Sequence, residues 1–281
     1  MDPAVVVLEM NGAPPCSGVL IAQDIVLTAR HCTVIVDPHA ACPSTQAQVL
    51  GGRDPASMRV LVGETVSSAI VEAVGLAIVA PTTAVLCDAD IALVLLDRPI
   101  KSVKPAVVDS VGIAEGEHVR TVLYDNPPGI KLLREHALVV ASDTFEFRVE
   151  EATCMGQGGG PAFDENTGHV VGVLSRFGPS CRGPNAYDVY TRTSVFYALV
   201  EQAISSSMEA GKKLSDSDTK DPTDIGGACL AGRDCGAGVC VKDGALQYCS
   251  RTCEATDRCP TDYTCVDGAA LESVCVLHPA K

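Results

Sequence analysis

Tryptophan is absent from the 281-residue sequence, and aromatic residues together make up only 4% of it. Positive charge is scarce as well: 21 lysines and arginines stand against 35 aspartates and glutamates, for a net charge of -14. A nucleic-acid partner is not expected of such a chain, because phosphate binding needs a basic face. The acidity reads first as a source of solubility. Long apolar runs are missing too. The most apolar window, AIVEAVGLAIVAP at 69–81, is interrupted by Glu72 and Gly75 and ends at Pro81, so it is too short and too broken to span a bilayer. The start, MDPAVVVLEMNG, has neither a positive n-region nor a small-residue cleavage site; the chain reads as a mature one whose secretory signal has been removed.

Cysteine, by contrast, is abundant. There are 14, six before residue 200 and eight after residue 228. An even number at this density implies disulfides and an oxidising compartment, hence a secreted or extracellular protein. A zinc protein is the competing explanation, but the tail has no Cys-x-x-Cys knuckle and its only histidine is His278, so no metal and no other cofactor is expected.

With 25 glycines and 17 prolines, the composition suits a globular protein of strands and turns. Residues 1–200 alternate short β-branched runs, among them AVVVLEM, SGVLIAQDIVLTA, DIALVLLD, HVRTVLY and HVVGVLSRF, with Gly, Pro, Asp or Asn between them. This spacing predicts an all-β barrel or sandwich. Over 194–208, Phe196, Leu199, Val200 and Ile204 recur at helical spacing and predict a closing amphipathic helix. The charged, Ser/Asp-rich stretch 209–225 reads as a flexible linker. From Gly226 to Lys281 the composition turns to Cys, Gly and Asp, with too few apolar residues for a core. Four disulfides would replace one there, in any of 105 pairings.

Three motifs carry chemistry. LTARHC puts His31 beside Cys32, DADIALVLLDRP puts Asp90 before an apolar strand, and TCMGQGGGPAF follows at 153–163. With CSGVLIAQDIVLTARHC, GHVVGVLSRFGPSC and VYTRTSVF in the same order, they resemble the trypsin-like serine proteases of chymotrypsin fold. The resemblance covers residues 4–204 and implies two six-stranded antiparallel β-barrels with a site in the cleft between them, then a helix. It pairs Cys16 with Cys32 and Cys154 with Cys181, which leaves Cys42 and Cys87 for each other.

Carried over by position, His31 would be the general base and Asp90 its orienter. The family's Gly-Asp-Ser-Gly-Gly-Pro run reads here Gly156-Gln157-Gly158-Gly159-Gly160-Pro161. The nucleophile position is therefore Gly158, which has no side-chain oxygen to form an acyl-enzyme. The amides of Gly156 and Gly158 would still make an oxyanion hole. Gln157 replaces the aspartate that, in the family, pairs with the N-terminus freed on activation. Ala152 stands at the place of trypsin's specificity carboxylate, Asp188 where a pocket-wall glycine is usual, and Phe177 near the pocket mouth, so a narrowed or closed pocket is expected. Ser175 matches a serine that supports the aspartate, and neither it nor Thr153 would face His31 as a replacement nucleophile.

His39, His118, His136 and His169 stand apart in turn or strand-edge contexts and read as surface or capping residues. The glycine run is no phosphate cradle, since no Lys-Ser/Thr follows it. Two function classes remain: a secreted pseudoprotease that binds a protein or peptide without cutting it, and a serine endopeptidase in which Gly158 is an engineered or atypical replacement. The cysteine-rich tail reads as a separate binding or spacing module.

Overall fold

The computed structural model describes residues 2–10, 13–44, 46, 48–125, 129–151, 158–178, 180, 183, 185–218, 239–243, 246–250, 263–266 and 274–277. The chain divides into two compact units, Met1–Met208 and Glu209–Lys281.

In the first unit, β1 (Val5–Met10), β2 (Cys16–Ala22) and β3 (Ile25–Thr28) are followed by a short pair, β4 (Val34–Val36) and β5 (Val49–Gly52), and then by β6 (Met58–Val62), β7 (Ile70–Val79) and β8 (Ala92–Leu96). Six of them close into an antiparallel barrel in the order β1-β2-β3-β8-β7-β6. A second six-stranded barrel follows: β9 (His118–Tyr124), β10 (Lys131–Ser142), β11 (Glu146–Glu150), β12 (Pro161–Asp164), β13 (Val170–Phe177) and β14 (Tyr187–Arg192), closed as β10-β11-β14-β13-β12-β9. Closure gives every strand of each barrel a neighbour on both sides over at least part of its length. The all-β class with two barrels and a terminal helix, expected from the motifs, is the architecture observed.

Both barrels are filled by aliphatic side chains at alternate positions. Val5, Val7, Val19, Leu27, Val60 and Leu93 are fully or almost fully buried in the first, and Val119, Val139, Val149 and Val171 in the second. With few aromatics available, the stacked pair Phe147–Tyr190, 5.3 Å between ring centroids, is the main ring contact in the second core. β8 is buried along its whole length, which is why its sequence is a continuous apolar run.

Two strands escape the simple pattern. β7 carries Glu72 and Gly75 inside an exposed-to-buried alternation, and β12 is a four-residue strand directly after the glycine run. The helix α1 (Tyr197–Asp218) begins close to the expected start and buries Val200 and Ala203. It continues to Asp218, into the stretch read as linker, through Glu209, Ala210, Lys212, Lys213 and Leu214, which are good helix formers. No described helix is long and apolar enough to cross a membrane.

Within the second unit, β15 (Val239–Asp243) pairs antiparallel with β16 (Leu246–Ser250), and β17 (Tyr263–Val266) with β18 (Val274–Leu277).

Candidate active site

β3 runs into Ala29, and a single 3-10 turn, Arg30–Cys32, then reverses the chain and presents His31. The Cys16–Cys32 disulfide ties this turn to the start of β2. A second disulfide, Cys42–Cys87, holds the segment that leads to Asp90. Gln48 supports the same segment by accepting hydrogen bonds from the Leu86 and Cys87 amides. Cys154 and Cys181 lie outside the described residues.

Asp90, only 3% exposed, sits just before β8 and faces His31. Its Oδ1 accepts from the His31 backbone N–H at 2.8 Å. Its Oδ2 lies 2.8 Å from His31 Nδ1 and accepts from the Ser175 hydroxyl at 2.7 Å. A carboxylate only accepts, so Nδ1 carries the proton and Nε2 is the free nitrogen. Burial opposes ionisation of Asp90, but the His31 charge and the hydrogen bonds from His31 and Ser175 outweigh it and hold the carboxyl below its ordinary range. Burial likewise opposes the charged imidazole, while the charge and hydrogen bond of Asp90 raise His31 above its ordinary value.

The free edge of that imidazole lies over Gly158. A β-carbon built on Gly158 would fall 2.2 Å from His31 Nε2 and 2.4 Å from Cε1. The backbone around it is fixed from both barrels. The Gly158 carbonyl accepts from Ser17 N at 2.8 Å, and the Gly159 N–H donates to Leu174 O at 2.8 Å. Gly159 has φ +89°, and a β-carbon there would meet Ser17 O and Thr28 Oγ1, both at 2.2 Å. Only glycine accepts both that dihedral and that contact. Ser17 itself joins the barrels: its Oγ accepts from Tyr124 N at 2.9 Å and its carbonyl from Thr28 Oγ1 at 2.7 Å.

The structure thus brings His31, Asp90, Ser175 and Gly158 together. Phe177, 55% exposed, is the cross-strand partner of Asp188, which is fully buried. Ala152, Gly156 and Gln157 lie outside the described residues, as does Thr153. Three of the four outlying histidines pair with carboxylates: His136 with Glu165 at 2.8 Å, His39 with Asp37 at 3.3 Å and His169 with Asp109 at 3.6 Å. Among the described residues, the one grouping close enough to hold a metal is Cys16, His31 and Cys32. Its two sulfurs are bonded to each other, so they offer no thiolate.

Two cations flanking Asp90 were not singled out from the sequence. Arg30, 6% exposed, donates to the carbonyls of Thr83 and Val85 and lies within the field of Asp90. Burial holds its pKa below the ordinary guanidinium value, against the pull of Asp90. The available signal was local: in LTARHC an arginine directly precedes His31. On the other side, Arg176 forms a two-pronged pair with Glu146, both bonds at 2.6 Å, and reaches Ser175 Oγ at 3.4 Å. Arg176 and Glu146 line a cavity of about 1070 Å³ together with Asp88, Asp143, Phe177 and Tyr187. Burial, then the charges of Glu146 and Asp143, raise the Asp88 carboxyl above its ordinary value.

Two closed barrels, with a histidine–carboxylate–serine chain reached from both, define the chymotrypsin-like class of folds. The family model for trypsin matches residues 1–200, and the chain belongs to that family. Solved structures agree on the fold. Neuropsin, a serine protease of mouse brain, superposes with a TM-score of 0.56 at 17% identity, covering 72% of this chain and 95% of its own. Kallikrein-related peptidase 10 in complex with Zn²⁺ gives 0.52 at 17%, with 72% and 95% covered. The VesB protease of Vibrio cholerae gives 0.52 at 20%, covering 71% of this chain, which spans 63% of the length of VesB. No curated protein sequence matches the chain.

Proposed function

We propose that this chain is a secreted pseudoprotease, a trypsin-family fold that binds a protein or peptide partner in its cleft and does not cut it. The observation that carries the reading is the bare backbone of Gly158 beneath His31 Nε2. In this reading His31 keeps the place of the general base, Asp90 orients it, and Gly158 stands at the nucleophile position without an oxygen to attack a carbonyl. Losing the nucleophile costs a serine protease on the order of 10⁶ in kcat. The amides of Gly156 and Gly158 would remain as hydrogen-bond donors for a bound carbonyl.

Binding without cleavage is supported by the strand beside the site. β13 pairs with β14 out to Phe177, but with β12 only as far as Val173. Among the described residues, no strand pairs with Ser175–Phe177 on the side away from β14. Such an edge accepts an extended peptide by main-chain hydrogen bonds. Secretion is supported by the disulfides, which persist in oxidising compartments. The cysteine-rich residues 226–281 form a second, separate binding or spacing module beyond the linker.

A second reading, an endopeptidase whose Gly158 is an atypical or engineered replacement, is favoured by the intact chain of hydrogen bonds from His31 through Asp90 to Ser175. A fluorophosphonate probe, which labels activated serines, separates the two. The pseudoprotease reading expects no label on the chain as it stands. Label that vanishes in His31→Ala would overturn it. Label on Gly158→Ser alone would assign the loss to the nucleophile, whereas none on either would place further decay in the site.

A further inference from the structure

The two hairpins of the second unit set cysteines directly opposite each other. In β15–β16 the register runs Val239↔Ser250, Cys240↔Cys249, Val241↔Tyr248. In β17–β18 it runs Thr264↔Val276, Cys265↔Cys275, Val266↔Val274. Residues directly opposite on antiparallel strands share a face of the sheet, with α-carbons about 4.5–5.5 Å apart. A disulfide needs α-carbons about 4.4–6.8 Å apart. Neither hairpin requires backbone movement to bring its two cysteines into that range.

We infer that each hairpin is closed by its own disulfide, Cys240–Cys249 and Cys265–Cys275. The chemistry of the module calls for such a staple. A two-stranded hairpin is marginal in water unless something else fixes it, and the sequence from 226 to 281 lacks the apolar residues for a core. The register repeats in two hairpins of different sequence, with cysteine facing cysteine in both. Each bond forms when two thiols lose two protons and two electrons to an oxidised dithiol protein or a glutathione-type disulfide, which leaves as two thiols. Fixing these two bonds reduces the 105 pairings of eight cysteines to three, those open to Cys229, Cys235, Cys253 and Cys259.

The test uses the full chain, secreted or refolded under oxidising conditions and then unfolded in denaturant with a chelator but no reductant. Iodoacetamide marks every free thiol, and mass spectrometry of the digest locates each mark. The unmodified chain is expected to carry none on the eight cysteines of the tail. Cys240→Ser should free one thiol, at Cys249, and Cys265→Ser one thiol, at Cys275. The double variants Cys240→Ser/Cys249→Ser and Cys265→Ser/Cys275→Ser should again carry none. Because only covalent pairing is read, a variant that folds less well still reports its freed partner. Marks on all eight cysteines of the unmodified chain, or a mark in either single variant on a different cysteine, would overturn the assignment. Digestion after Lys242 and at Asp267 separates the two members of each pair, so disulfide-linked fragments provide an independent reading.

Discussion

The imidazole of His31 stands in the space of a side chain at residue 158. A β-carbon on Gly158 would lie 2.2 Å from its Nε2, and real β-carbons do not approach other atoms so closely. The ring cannot simply move away, because Asp90 holds Nδ1 at 2.8 Å and the His31 backbone N–H at the same distance. Adding any side chain at 158 therefore strains a pinned histidine. Gly158→Ala is expected to lower the unfolding free energy by about 1–3 kcal/mol, the usual range for overpacking a filled site. In a His31→Ala background the same change should cost much less. Urea denaturation of the four variants gives the coupling directly, and equal costs in both backgrounds would show that His31 does not fill the space. Restoring a serine alone also has to displace the ring.

The dyad carries a pH dependence whose sign follows from its two shifts. Asp90 titrates lower in the folded chain than in the unfolded one, so its stabilisation is present above the unfolded value of about 3.9 and is lost as pH falls through the folded value. His31 titrates higher in the folded chain, so its stabilisation is complete below about pH 6.5 and is lost as pH rises through the folded value. Arg30 and Arg176 stay charged throughout and leave the window unchanged. The stability difference between the native chain and Asp90→Asn should be largest between about pH 4 and 6.5 and narrow on both sides. Chemical denaturation across that range checks it, and a difference that keeps growing above pH 8 would contradict the assignment.

Much of this site was legible because it resides in short motifs. His31 follows a buried strand in LTARHC, Asp90 opens the apolar run of β8, and Gly158 sits in a glycine run. Each of these residues is set by its immediate neighbours in sequence. Arg30 and Arg176 were not legible in the same way, because their partners lie far along the chain: Thr83 and Val85 for one, Glu146 for the other. The strands divide likewise. β8 is apolar throughout because both faces are covered. β7 is not, since its Gly75 lies where a β-carbon would come within 2.5 Å of Pro55 O. That close approach, rather than any local preference, put glycine inside a strand. The helix end was legible only in part: the charged composition after Met208 suggests a linker, while α1 runs on to Asp218 through good helix formers.

Arg30 links the two segments that supply His31 and Asp90. Its guanidinium ties the turn before His31 to the carbonyls at 83 and 85, just upstream of Asp90. Arg30→Met should remove these bonds and lower stability by about 1.5–3 kcal/mol, the range for hydrogen bonds to a charged group. It also removes a cation from beside Asp90, so the His31 pKa should rise further. An NMR titration of the His31 ring reads that change. Arg30→Lys keeps the charge and should leave the His31 pKa close to native; a rise equal to that in Arg30→Met would show that geometry rather than charge is responsible.

Glu146 and Arg176 offer the sharpest test of what shapes the cleft. Glu146 is buried and holds Arg176 by two hydrogen bonds, next to Ser175 and within the field of Asp90. Breaking a buried pair leaves an uncompensated charge and costs about 3–5 kcal/mol. Arg176 retains some contact with water, so Glu146→Gln should cost less, about 1–3 kcal/mol. The paired replacement Glu146→Leu/Arg176→Leu leaves no charge stranded and should cost less than Glu146→Gln alone. Asp88 supplies a second readout. Glu146 is the main charge raising its carboxyl, so Glu146→Gln should bring the Asp88 pKa down, as measured by carboxyl NMR. If Asp88 keeps its raised value while stability falls, burial and the charge of Asp143 set the carboxyl without Glu146. The cleft would then owe its charge pattern to Arg176 and its neighbours separately, not to the pair acting as a unit.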